Sequence, residues 1–172
     1  GVIEVSSAAA IEFSAGGDSE AYAQLGHGGR SANLDTGSAI NIAAASDMLF
    51  SGGSGQRAYA QLGHGGLGSA GARAAALSIG SIGDLRFVGG SGSEAYAQLG
   101  DGGYNADGNQ SGAITIQRAQ DIDFSGGSGR DAFAQLGMGG SLNNANHSGD
   151  ITITSAQAVS LSAGAGREAY AQ

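Results

Sequence analysis

Ala58-Tyr59-Ala60-Gln61-Leu62-Gly63-His64-Gly65-Gly66 is the stretch that decides the fold, because the chain repeats its pattern four times and begins a fifth. The hexapeptide Ala-Tyr-Ala-Gln-Leu-Gly starts at Ala21, Ala58 and Ala95. A Phe variant starts at Ala132, and the last copy opens at Ala169. Tyr22, Tyr59, Tyr96, Phe133 and Tyr170 are therefore spaced by 37 residues every time, with no insertion or deletion. Units 1–37, 38–74, 75–111 and 112–148, with a partial unit 149–172, make one repeat array. A fixed period of this size marks a repeat architecture, in which each unit buries its apolar face against its neighbours.

Upstream of the hexapeptide each unit carries two apolar pairs. The first pairs are Ile3 and Val5, Ile40 and Ile42, Leu77 and Ile79, Ile114 and Ile116, and Ile151 and Ile153. A polar residue always stands between them: Glu4, Asn41, Ser78, Thr115 or Thr152. The second pairs are Ile11 and Phe13, Met48 and Phe50, Leu85 and Phe87, Ile122 and Phe124, and Val159 and Leu161. Apolar residues at i and i+2 read as half-buried strands, and helical spacing is absent. In the hexapeptide, Ala58, Ala60 and Leu62 face one way while Tyr59 and Gln61 face the other. Both sets repeat almost unchanged, whereas the outer positions of the first two strands drift. Both faces of this third strand are thus expected to be covered, by the following loop or by a neighbouring molecule. After each Gly-x-Gly-Gly the sequence varies. Arg30 to Thr36, Leu67 to Arg73, Tyr104 to Gln110 and Ser141 to His147 read as surface loops on one edge.

Three short strands per 37-residue repeat, stacked in register, predict an all-β fold: a β-solenoid with coils about 4.8 Å apart. Equivalent side chains then form ladders. Phe13, Phe50, Phe87 and Phe124 are predicted in the core, and Tyr22, Tyr59, Tyr96, Phe133 and Tyr170 along strand three. Gln24, Gln61, Gln98, Gln135 and Gln172 are predicted to form an amide ladder, each bonding the copy above and below. A coil of 37 residues is long, since it leaves a loop of about a dozen residues. Two smaller coils per repeat, or a propeller-like blade, stay open on this count. Both ends read as open strand edges, so the chain is expected to continue or to meet other copies.

Composition narrows the function. The 172 residues include 34 Gly, no Pro, no Cys and no Lys, and the net charge is −8. Phosphate binding needs clustered basic side chains, so nucleic acid is not an expected partner. No apolar run reaches the roughly 18 residues of a membrane helix, so no membrane insertion is expected. Absence of Cys removes disulfides and thiolate metal sites.

Candidate chemistry is sparse. Gly126-Gly127-Ser128-Gly129-Arg130-Asp131 matches one calcium-roll nonapeptide, but Glu20, Arg57, Glu94 and Glu168 replace the Asp elsewhere, and calcium rolls need the motif in tandem. Asp47, Asp84 and Asp121 form an acidic ladder expected to face water; a shared cation is the sharper reading. His27 and His64 are matched by Asp101 and Met138, so they read as solvated loop residues, and His147 is a lone loop residue. No catalytic constellation, cofactor or metal site is expected, and the chain does not read as an enzyme. A polysaccharide-acting β-helix enzyme is the competing class, and it would need non-repeating charges gathered on one face.

Gly83-Asp84-Leu85, Asp121-Ile122-Asp123-Phe124-Ser125-Gly126-Gly127 and Gly149-Asp150-Ile151-Thr152-Ile153 resemble the filamentous-haemagglutinin-type passengers of bacterial two-partner secretion. The resemblance covers roughly the first 18 residues of each unit. It implies an exported right-handed β-helix at the bacterial surface, serving as a long fibre or adhesin. The expected partner is a second copy, met end to end or through lateral docking of the Tyr/Gln face. Host or matrix glycan or protein, bound by the variable loops, is the second expectation.

Overall fold

Alternating apolar residues in short runs, with glycines between them, leave the backbone one way to pair every donor: against the next copy of itself. The computed structural model describes all of residues 1–172 and contains no helix. The first unit forms β1 (Ile3–Val5), β2 (Ala8–Ser14) and β3 (Tyr22–Leu25). The second forms β4 (Ile40–Ser51), in which the first two strands run on as one, and β5 (Tyr59–Leu62). The third has β6 (Leu77–Ile82), β7 (Leu85–Val88) and β8 (Tyr96–Leu99), and the fourth β9 (Ile114–Arg118), β10 (Asp121–Ser125) and β11 (Phe133–Leu136). The partial fifth has β12 (Ile151–Ile153), β13 (Ala158–Ser162) and β14 (Tyr170–Ala171).

Every pairing is parallel, and every register joins residues 37 apart. Ile3, Ile40, Leu77, Ile114 and Ile151 lie one over the next. So do Phe13, Phe50, Phe87, Phe124 and Leu161, and Tyr22, Tyr59, Tyr96, Phe133 and Tyr170. One repeat is therefore one coil of a β-solenoid, which excludes both the two-coil and the propeller readings.

The segments read as surface loops on one edge are ordered between coils. They form a fourth wall, also in register, through bridges such as Thr36–Arg73, Arg73–Gln110 and Gln110–His147. Ser31 N–H donates to Leu67 O at 2.8 Å, Gly68 N–H to Tyr104 O at 2.9 Å, and Asn105 N–H to Ser141 O at 2.8 Å. This wall accounts for the unusual length of the coil. Its side chains differ from coil to coil because the pairing is made by backbone, which any residue supplies.

The four walls enclose two layers. Between strands one, two and three lies an apolar core that includes Ile40, Ile42, Phe50, Leu62, Phe87, Leu99, Ile114 and Phe124, each at most 1% exposed. Between strand three and the fourth wall lies a second, smaller cluster of Tyr59, Leu67, Tyr96 and Phe133. Strand three is therefore covered on both faces, as its sequence implied, and the cover is the chain's own fourth wall.

Glycine is required where the coils touch backbone to backbone. Gly63 has φ +146° and Gly100 φ +137°, and a Cβ on either would overlap the carbonyl oxygen of the glycine one coil on. The opposite case is the column Glu20, Arg57, Glu94, Asp131 and Glu168, where side-chain-bearing residues hold φ between 54° and 63°. That conformation costs roughly 1–2 kcal/mol per L-residue. Charge pairs accompany it: Arg57 sits between Glu20 at 3.6 Å and Glu94 at 3.5 Å, and Arg130 pairs with Asp131 at 3.2 Å.

Candidate functional site

The predicted aromatic ladders are present. Phe13, Phe50, Phe87 and Phe124 stack with ring centroids 4.7 to 5.1 Å apart and planes within 4°. Tyr22, Tyr59, Tyr96, Phe133 and Tyr170 stack at 4.7 to 5.1 Å, with planes within 7°. Tyr59 and Tyr96 are 0% exposed, as are Gln61 and Gln98. The Tyr/Gln face consequently offers no surface for lateral docking, and that expectation is withdrawn.

The Gln column is real, but its bonding differs from the expected amide ladder. Gln61 Nε2 donates to Gly100 O at 2.9 Å, with His64 O at 3.2 Å and Gly102 O at 3.3 Å also within reach. Gln98 Nε2 repeats this one coil on, with Gly137 O and Gly139 O at 3.1 Å and Asp101 O at 3.2 Å. The side chain thus ties down the Gly-x-Gly-Gly turn of its own coil and the next. Turn carbonyls crowd the amide nitrogen and exclude a neighbouring amide oxygen. The Oε1 atoms of Gln61, Gln98 and Gln135 are left buried without a partner.

The largest correction concerns the His27 column. His64 is 1% exposed, not solvated, and stacks on His27 at 5.1 Å. His27 N–H donates to His64 Nδ1 at 2.8 Å, His64 N–H to Asp101 Oδ1 at 2.7 Å, and Asp101 N–H to Met138 Sδ at 3.5 Å. Each side chain here accepts a backbone N–H from the coil before it. Imidazole, carboxylate and thioether are unlike in charge but alike in placing an acceptor near the same point. With Nδ1 accepting, Nε2 carries the His64 proton and donates to Ser38 O at 2.8 Å.

Burial shifts the titration of this column. Desolvation holds His64 below the usual imidazole value, against the raising effect of its bond to Ser38. Desolvation pushes Asp101 up to about 6, although the His64 N–H and Arg73 oppose it. Arg73, 1% exposed, donates to Ser69 Oγ at 2.9 Å and Asp107 O at 3.1 Å, and burial lowers it against the pull of Asp101 and Asp35. A buried guanidinium inside a segment that reads as a loop was not visible in the sequence. Its equivalents Thr36, Gln110 and His147 share only polarity.

The acidic ladder stands on the outside. Asp47 is exposed, Asp84 and Asp121 are half-exposed. Asp47 Oδ1 accepts Asp84 N–H at 2.8 Å, and Asp84 pairs with Arg86 at 2.9 Å. Asp47 thus links its coil to the next and Asp84 pairs within its own coil, and no group of three or more His, Asp or Glu side chains is placed to hold a metal ion.

One concave feature was missed. A groove of about 440 Å³ runs along the axis on the outer face of strand one, lined by residues from four coils. Glu4, Asn41 and Ser78 form one side, and Ser6, Ala43, Gly80 and Gln117 the other. The available signal was the column Ser6, Ala43, Gly80, Gln117, whose two smallest residues lie in its middle.

Fold and site together define an all-β solenoid of parallel, in-register coils with a built-in second layer. Comparisons with family models, with curated proteins and with solved structures find no match to this chain.

Proposed function

We propose that the chain is a structural and adhesive segment of an extracellular bacterial fibre, of the filamentous-haemagglutinin type, with no enzymatic role. One observation carries this reading: the 37-residue register holds in all four walls, so each coil is a template for another. The large apolar side chains that stand exposed lie mostly in the outermost coils. Val2, Tyr22 and Leu34 are 50–58% exposed at one end, and Ile151, Val159 and Leu161 are 47–50% exposed at the other. Most belong to columns that are buried in the middle coils, and a further coil, from this chain or a second copy, would bury them at about 25 cal/mol per Å². Of the two modes of self-association expected from sequence, this reading keeps end-to-end growth along the axis and drops lateral docking of the buried Tyr/Gln face. Electron microscopy of the full-length protein tests the reading. Rods of constant width, whose length scales with repeat number, are expected; compact particles of no fixed axis would contradict it.

A further inference from the structure

The groove on strand one is not needed by a rod, and its lining has a chemistry of its own. Its middle is hollow because Ala43 and Gly80 stand where Ser6 and Gln117 stand in the flanking coils. The hollow is fixed by the stack, since a Cβ on Gly80 would overlap the Ala43 carbonyl oxygen. The side chains of Glu4, Ser6, Asn41, Ser78 and Gln117 have no hydrogen-bond partner within the protein. Five free hydroxyl, amide and carboxylate groups therefore line one open trough. Its volume falls within the roughly 300–1,000 Å³ usual for ligand sites.

We propose that this groove binds a neutral, hydroxyl-rich polymer, a glycan chain, laid along the solenoid axis. Three observations select that occupant. Glu4 is the only charged side chain in the lining, and with a net charge of −8 it disfavours polyanions. An extended peptide added as a strand needs a free backbone edge, and the floor has none: Ile42 is paired on both sides, with Val5 and Ile79. A neutral glycan presents both donors and acceptors along its length, which matches amides and hydroxyls recurring at the coil spacing. The groove places ligand binding on the drifting outer face of strand one, not on the fourth wall. It also stands apart from the fibre reading, because a solenoid that never extends would still carry it.

The test is an array of neutral glycans probed with the intact chain, followed by calorimetry on a soluble oligosaccharide from the array. Ala43→Ile fills the trough at an exposed strand position and is expected to lower affinity at least tenfold with the circular dichroism spectrum unchanged. Asn41→Ala with Gln117→Ala removes two polar contacts and is expected to lower it severalfold. Leu49→Ile, on the outer face of the second strand, is expected to leave it unchanged. Failure of every neutral glycan to bind, binding confined to acidic glycans or to peptides, or affinity unaltered by Ala43→Ile would overturn the proposal.

Discussion

Phe50, Phe87 and Phe124 pile up in the inner layer at 4.7 to 4.8 Å, and Tyr59, Tyr96 and Phe133 do the same in the outer layer at the same spacing. The surroundings of the two columns differ. Around the Phe column the neighbours are aliphatic, and Met48, Leu85 and Ile122 exchange freely at one position because only volume matters there. In the outer layer stand Arg73, His64, Asp101, Gln61 and Gln98, each bonded to a backbone atom of an adjoining coil, and Ser69, bonded to Gly66 O of its own coil. The inner layer is held by area, the outer layer by the placement of single polar atoms. Loss of an apolar side chain should thus be graded by size, whereas loss in the outer layer should depend on whether an acceptor remains.

The largest expected effect is in the inner layer. Phe87→Ala removes a side chain sandwiched between two rings and should cost about 3–5 kcal/mol in equilibrium denaturation. A loss under about 1 kcal/mol would mean that the stack is not continuous. Next comes His64→Ala, which leaves His27 N–H without its acceptor and should cost about 1–3 kcal/mol. His64→Asn, which keeps an oxygen at the same point, should recover part of that loss. Equal losses in the two variants would show that the ring, not the acceptor, matters.

The same column predicts opposite pH responses from neighbouring coils. Asp101 titrates at about 6 in the fold against 3.8 for the ordinary side chain, so its ionisation opposes folding. The neutral carboxyl favours the fold at low pH, and that contribution is lost as pH rises from about 4 to about 6. The whole loss is about 3 kcal/mol, since each tenfold difference in proton affinity between folded and unfolded chain is worth about 1.4 kcal/mol. Asp101→Asn should therefore stabilise the chain at pH 8 and lose its advantage by pH 4, as read from denaturation midpoints. His64 is held below 6.5, so its contribution is complete above that value and fades as pH falls through the lowered value. The smallest effect concerns backbone strain. Leu142 holds φ +56° and is exposed, while its equivalent two coils earlier is Gly68 at φ +59°. Leu142→Gly should stabilise by about 0.5–1 kcal/mol, and destabilisation would remove strain as the explanation.

The inner layer was legible in the sequence because burial there selects one class of residue at every copy. The offsets of Ile40, Ile42, Met48 and Phe50 are enough to place the first two strands. Strand three was legible for the same reason on both faces. The fourth wall was not, since Arg73, Gln110 and His147 pair by backbone and share only a need for polarity. The acceptor column was hidden more deeply. His64, Asp101 and Met138 look like drift until the distance from Cα to the accepting atom is compared. Likewise the Gln column was found, but its partners were not, because the neighbouring turn competes for the amide nitrogen at closer range than the next side chain.

The register between coils is the claim on which both layers rest, and the chain's lack of cysteine makes it directly testable. Leu49 and Arg86 are partners across adjacent coils on the outer face, with Val88 displaced by two residues. Partners in a parallel ladder stand within the roughly 4.4–6.8 Å Cα separation that a disulfide tolerates. Oxidation of a Leu49→Cys, Arg86→Cys double variant should give a near-complete intramolecular disulfide, and Leu49→Cys with Val88→Cys should give little. Equal yields from both pairs, or a preference for the second, would contradict a stack in which residues 37 apart lie one over the other.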